Sequence, residues 1–440
     1  MNRRKFLKGA AAAAFTVHIM PRQALGGEGQ TAPSDKLSIA GVGVGGQGGG
    51  DLSNPAISSQ NIVALCDVDS ARASGTIKKF PKAEVFKDYR VMLEKCKGID
   101  AVVVATPDHM HAPVAVACMR AGKHVYVEKP MCHTIEESRV MTKLAKESGL
   151  VTQMGNQGHG GEGLRATREW IQAGAIGVIK EAHCWSDRPV KWWPQPVERP
   201  KDTPPVPDTL DWDLWLGAAP ERPYHPAYCP AVWRAWFDFG NGAMGDMAVH
   251  NMDPAFYALD LDTPLATQAQ TSLPQPECYP AWEIITYEFA AKGARPPLKL
   301  YWYDGGKKPA RPDELDEGFN LEDNGIYFRG EKGVILCGGW AGMPRLFPKA
   351  LRHDFKAPPQ AIPRSPGHYA EWVQACKERK PEGAKAGFAY SGPYVESLLV
   401  GSLAVRLQKR IEWDAANMVA RNAPEADALI RKKYRPGFGI

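Results

Sequence analysis

The chain has 440 residues, 44% of them hydrophobic and 23% charged, which is ordinary globular composition at a length suited to two or three domains. The formal net charge is +5, but Arg3, Arg4, Lys5, Lys8 and Arg22 stand among the first 27 residues with no acid. The remainder is near neutral and carries no Lys/Arg block, which argues against a nucleic-acid partner.

The chain opens MNRRKFLKGAAAAAF. A twin-arginine pair and basic flank precede Gly9 to Met20, an apolar run of about a dozen residues, too short to span a bilayer. This order reads as a twin-arginine signal peptide over residues 1–27, with cleavage near Ala24 to Gly27. That route carries folded proteins, so the expectation is a periplasmic or otherwise exported protein, folded before export, with the export machinery as a partner and no membrane span in its mature form. Nine cysteines without a CxxC spacing argue against a disulfide scaffold or zinc site, and Cys66 and Cys118 read as small core residues.

From residue 36, LSIAGVG, NIVALCD, DAVVVATP and HVYVEKP read as strands. A helix is expected over Ala112 to Ala121, ended by Gly122. Thr134 and Glu137 form a capping box that opens a helix running to Ser148, Gly149 ends it, and VTQM is a further strand. Strands alternating with helices predict a Rossmann-type, doubly wound parallel sheet over residues 36–155.

The first strand runs into Gly41, Gly43 and Gly46, a Gly-x-Gly-x-x-Gly pattern. Its glycines serve a tight turn, close approach to a pyrophosphate, and helix–strand packing. The second strand ends at Asp67, 21 residues after Gly46, where an acid bonds an adenosine ribose. A carboxylate there favours NAD, and nearby Arg72 leaves NADP open. Thr106, Pro107, His111, Glu128 and Lys129 lie at or near carboxyl ends of strands, the ligand side of such a sheet. Gln157, opening the second part, is a further candidate cofactor contact.

Residues 156–440 read as an α+β domain with a large, open-faced, mainly antiparallel sheet. Within it, 185–236 is a Trp/Pro-rich loop region: WSDRPVKWWPQPVERP suits neither helix nor central strand. Eight of the 13 tryptophans lie between Trp170 and Trp236, either packing a core or lining a carbohydrate cleft. LKLYWYDGG and GIYFRGEKGVILCGG read as strands, and SGPYVESLLVGSLAVRLQKR as a helix. In GAMGDMAVHNMD, Asp246, His250 and Asp253 share one helical face. By themselves they are metal ligands, a satisfied core histidine with its neighbours, or a proton-handling set; the preferred reading has no metal.

The glycine loop, CDVD, TPDHMH, EKP and GDMAVH, in this order, resemble the Gfo/Idh/MocA oxidoreductase family from about residue 36 to the end. The resemblance implies a Rossmann domain, then an α/β domain whose large sheet mediates homo-oligomers, and chemistry at a sugar or cyclitol hydroxyl. It implies Lys129 and His250 as the proton-handling pair, with Asp246 beside them to orient the imidazole or bind substrate; Pro130 suits a cis peptide after Lys129. Arg234, Tyr224, Asn156, Asp253 and Trp185 are the candidate substrate contacts. Export adds a constraint, because no pool of nicotinamide cofactor is expected outside the cytoplasm, so the cofactor should be non-dissociating. The alternatives are an NAD-dependent glycoside hydrolase that oxidises its ring transiently, and a non-catalytic carbohydrate-binding protein, against which Lys129 and His250 argue.

Overall fold

The computed structural model describes residues 35–273 and 275–440. The segment read as an export signal lies outside the described residues.

Six strands form the first sheet: β1 (Ser38–Val42), β2 (Asn61–Cys66), β3 (Glu84–Phe86), β4 (Ala101–Val104), β5 (His124–Glu128) and β6 (Thr152–Gly155). Their order is β3-β2-β1-β4-β5-β6, and every pairing is parallel. Helices cover both faces, so the central strands are apolar throughout; all four residues of β4, AVVV, are buried. The order reverses between β1 and β4, opening a crevice at the carboxyl ends of these strands. The capping box of Thr134 and Glu137 is present, and Gly149 ends that helix in the left-handed conformation. The helix expected from Ala112 begins at Asp108 instead. An acid in the first turn suits the helix dipole, and this start draws His109 and His111 into the helix.

The second sheet has nine strands: β7 (Ile179–Trp185), β8 (Ala266–Thr271), β9 (Glu283–Phe289), β10 (Leu298–Tyr303), β11 (Gly325–Gly330), β12 (Val334–Gly338), β13 (Arg345–Phe347), β14 (Ile411–Asp414) and β15 (Val419–Ala420). The order is β13-β12-β11-β7-β10-β9-β8-β14-β15, antiparallel except for β7 with β10. Burial alternates along β9 and β10, as in a sheet packed on one face only. The helix Phe388–Leu407 lies across the packed face against β8 and β9. On the other face His183 stacks between Tyr301 and Tyr327, with ring centroids 4.5 and 4.7 Å away.

Three later segments return to the first sheet. Trp372, Val373, Ala375 and Cys376 of the helix His368–Glu378 share a core with Ile39, Leu65, Val103 and Tyr126. The Trp/Pro-rich region straps itself to the end of β2: Ser70 N donates to the Thr209 carbonyl at 3.0 Å, and Asp211 N to that of Val68 at 2.9 Å. Near the C-terminus, Arg90 donates to the Gly437 carbonyl and lies over the Phe438 ring. Strap and tail both overhang the crevice. All nine cysteines, which fall among the described residues, are free. No helix there is long and apolar enough to cross a membrane.

Candidate active site

A cleft of about 250 Å³ opens above the carboxyl ends of β1, β2, β4 and β5. Its floor is the glycine loop. β1 continues through Gly41 to Val42, so Gly41 sits inside the strand, where a Cβ would meet Leu52 Cδ1 at 2.6 Å. Gly43 takes the turn, with φ +81 and no room for a side chain against the Ala105 backbone. Gly45 faces the cleft, and a Cβ there would lie 2.8 Å from Arg72 Cβ. Gly48, in the first turn of the helix Gln47–Ser53, packs so closely that a Cβ would strike the Gly43 carbonyl oxygen. The fingerprint is therefore Gly43, Gly45 and Gly48, two residues on from the Gly41, Gly43 and Gly46 expected. Gly46 still lines the cleft as the residue before the helix, but it does not pack helix to strand. Gly48, a weakness by helix propensity, is required by packing.

Asp67 follows the last residue of β2 at the cleft wall. Its Oδ2 accepts from Gly45 N at 2.8 Å and its Oδ1 from Asp69 N at 2.9 Å, while burial pushes its carboxyl up. Thr106, Pro107, His111, Glu128 and Lys129 all line the cleft. The hydroxyl of Thr106 is buried without a partner. His111 ties two strand ends together, with Nδ1 2.6 Å from the Pro130 carbonyl and Nε2 2.7 Å from that of Thr106; burial pushes its imidazole down to about 4. Gln157 reaches Glu128 rather than the cleft, donating to Oε1 at 2.7 Å. Glu128 is buried near Asp51, and burial together with that second carboxyl pushes its own carboxyl up.

At the inner end of the cleft Lys129 meets Asp246, with Nζ 2.6 Å from Oδ1. The Lys129–Pro130 peptide is cis. Arg234 Nε lies 3.4 Å from Asp246 Oδ1, and Arg188 Nε 3.4 Å from Oδ2. Burial alone would raise the Asp246 carboxyl, but Lys129, Arg234 and Arg188 override it and hold it well below the usual carboxylate range. Arg188 also pairs with Asp187 at 2.7 Å, so the three cations face two carboxylates and positive charge remains in excess. Asp108 stands at the edge of the same group, beside Lys129, Arg234 and Asp246, with its carboxyl pushed up to about 7 by burial.

His250 is 3% exposed, and its Nδ1 has no partner. Burial first, then the charge of Lys129, pushes its imidazole down to about 3. Asp246 bonds Lys129 rather than His250, so it does not orient the imidazole as expected. Its segment, Met244–Ala248, is a π-helical turn followed by the short helix Val249–Asn251. A π turn carries more residues per turn, so Asp253 does not stay on the face of Asp246.

The other expected substrate contacts divide. Arg234 reaches the cleft and Asp246. Asp253, 1% exposed, accepts instead from His159 Nδ1 at 2.9 Å, Asn156 Nδ2 at 3.1 Å and the Tyr390 hydroxyl at 2.5 Å. Asn156 Nδ2 and Asp253 are therefore paired with each other in the interior, away from the cleft, although Asn156 Oδ1 is buried without a partner. Trp185 is buried on β7 and donates its Nε1 to the Glu322 carbonyl. Tyr224 packs edge-on against Trp212 within the strap and does not line the cleft. Sequence reasoning missed Gly45, Gly48, Asp108 and Arg188. Arg188 stands in WSDRPVK, a region whose bends no local pattern predicts.

Residues 36–156 match the oxidoreductase family's NAD-binding Rossmann fold, and residues 183–298 match that family's C-terminal α/β domain. An inositol 2-dehydrogenase of Rubrobacter xylanophilus is 31% identical over 148 residues, 33% of this chain and 42% of the relative. A levoglucosan dehydrogenase of Pseudarthrobacter phenanthrenivorans is 26% identical over 203 residues, 46% of this chain and 43% of the relative. The chain thus spans less than half the length of these curated relatives. The solved WlbA dehydrogenase of Bordetella pertussis, in complex with NADH and UDP-GlcNAcA, shares the fold over 86% of this chain and 99% of its own, with a TM-score of 0.61 and 20% identity. The two matched stretches together make up more than half of the sequence, and the chain belongs to the Gfo/Idh/MocA family of oxidoreductases.

Proposed function

We propose that the protein is an exported NAD(P)-dependent oxidoreductase acting on a secondary hydroxyl of a sugar, glycoside or cyclitol, with a cofactor retained between turnovers. The observation that carries this reading is the Lys129–Asp246 pair, with Arg188 and Arg234, at the inner end of a glycine-floored cleft. The residues suit a dinucleotide. Gly43 and Gly45 form a cradle that a Cβ would fill, Asp67 stands at the wall, and the buried Thr106 hydroxyl lacks a partner. When bound, the nicotinamide supplies hydride acceptance.

This chain's own groups handle the proton. Lys129, held by Asp246, donates a hydrogen bond to the substrate oxygen and stabilises its developing negative charge. His250, held neutral by burial and by the charge of Lys129, is the proton acceptor of the pair, and substrate binding beside Lys129 is what would bring the hydroxyl to it. Asp246 stays ionised and keeps the lysine in place. The strap residues Leu210, Trp215 and Pro230 and the tail residue Phe438 line the cleft from above, an arrangement that supports retention. NAD is favoured by Asp67, and Arg72 beside it could accept a 2′-phosphate. The aromatic open face of the nine-stranded sheet suits a homo-oligomer.

The test is mass spectrometry of small molecules released on denaturing the protein, with a sugar and cyclitol panel followed at the cofactor's absorbance. NAD(H) or NADP(H) in the extract, with turnover of a panel member, is expected. An extract without nicotinamide overturns retention, and failure of every sugar and cyclitol with added NAD and NADP overturns the function.

A further inference from the structure

We propose that Trp340 and Trp192 are the two walls of the substrate subsite, taking the apolar C–H faces of a pyranose or cyclitol ring. This rests on the oxidoreductase reading and extends it to residues outside the family pattern. Most of the tryptophan cluster packs inside the strap or the cores. Among the described residues only Trp192 and Trp340 are exposed tryptophans, at 58% and 45%. Each adjoins one half of the proton-handling group. The Trp340 ring centroid is 5.9 Å from that of His250, tilted by 44°. The Arg188 guanidinium lies 3.3 Å over the Trp192 ring, and the same guanidinium meets Asp246.

Both indoles are held in place at a cost. Trp340 and Ala341 have φ of +56 and +55, and Lys191, before Trp192, has +67. Side chains of this size avoid that region unless their surroundings impose it. Trp340 N donates to Asn251 Oδ1 at 3.1 Å, and Gly158 gives the Trp340 carbonyl room that a Cβ would take, at 2.5 Å. Trp192 Nε1 donates to Asp187 Oδ2 at 3.2 Å. The two anchors are linked: Asn324 donates to Asp187 at 3.1 Å, and Gly339 packs against Asn324. One contiguous set of contacts thus anchors two exposed indoles, one beside His250 and the other beside the Arg188 guanidinium that meets Asp246. Aromatic faces bury the C–H face of a sugar while leaving its hydroxyls to polar groups.

The probes are levoglucosan, myo-inositol and methyl β-D-glucopyranoside. They are titrated against the full chain with its cofactor by turnover, and in a Lys129→Ala background by quenching of tryptophan fluorescence. For the best probe, Trp340→Ala is expected to raise KM and the apparent Kd about tenfold or more, with a smaller effect on kcat, and Trp340→Phe to recover most of the loss. Trp192→Ala is expected to act in the same direction, and extracted cofactor should stay at the wild-type level. Unchanged KM and Kd in both alanine variants, with wild-type turnover intact, overturn the subsite and leave the function standing. Loss of the native oligomer on light scattering, with affinity unchanged, overturns it in favour of an interface between copies. A wild-type protein that neither binds nor turns over any probe overturns both readings.

Discussion

Asp246 and Asp253 stand seven residues apart on neighbouring helical segments, the first half-buried and the second buried, and they have opposite surroundings. Asp253 is closed: a histidine, a tyrosine and an asparagine satisfy its oxygens, and it does not line the glycine-floored cleft. Asp246 is open: a lysine and two arginines meet it at the inner end of the cleft, and with only Asp187 beside them, on Arg188, cationic charge is left unspent. A buried acid whose partners are all consumed is structural, because nothing remains to act on a ligand. A half-buried acid with surplus opposite charge at the end of a cleft is poised for chemistry, because that charge is stronger there than in open solvent.

The sharpest way to break this contrast is Lys129→Ala. Turnover should fall by roughly 10²–10⁴-fold, the range for loss of a positioned proton-handling group, with extracted nicotinamide unchanged. Steady-state rates and extraction check it; turnover within about threefold of wild type would put Asp246 in the same structural class as Asp253. Next in size, Asp253→Ala leaves the His159 ring without its buried partner and should cost about 3 kcal/mol of stability. Denaturant unfolding measures this, and the kinetic constants of the folded fraction should hardly move; a selective loss of kcat would assign Asp253 to the chemistry after all. The smallest effects test the glycine register. Gly48→Ala drives a methyl into the Gly43 carbonyl and should cost about 1–3 kcal/mol along with cofactor content. At Gly50 a Cβ would meet nothing within 4 Å, so Gly50→Ala should stabilise by about 0.5 kcal/mol. Equal effects at the two positions would return the fingerprint to Gly41, Gly43 and Gly46.

These cases show where sequence reading succeeds and where it stops. The alternation of apolar runs and capping signals located the parallel sheet, because period and caps act within a few residues of themselves. The capping box at Thr134 was legible for that reason, and so were Asp67 and Lys129 at their strand ends. The glycine register was not, since GVGVGGQGGG satisfies the fingerprint in two frames and only the length of β1 chooses between them. Asp253 was misplaced because the helical-face argument assumes a regular helix, and a π turn intervenes. Trp185 was misplaced because a tryptophan in a proline-rich stretch reads as cleft lining, whereas it belongs to the last residue of β7 and the core behind it.

The sequence by itself determined the family, the order of strands and helices, and which side chains end the strands at the ligand edge. Each of these is written in local spacing. Tertiary structure alone decided which charges converge. Lys129 comes from just beyond β5 and Asp246 from a helical turn more than a hundred residues later, Arg188 and Arg234 from opposite ends of an irregular strap, and Trp340 from a loop beyond β12. Electrostatic and packing energies depend on distances through space, and in an irregular chain those distances follow from how distant segments pack.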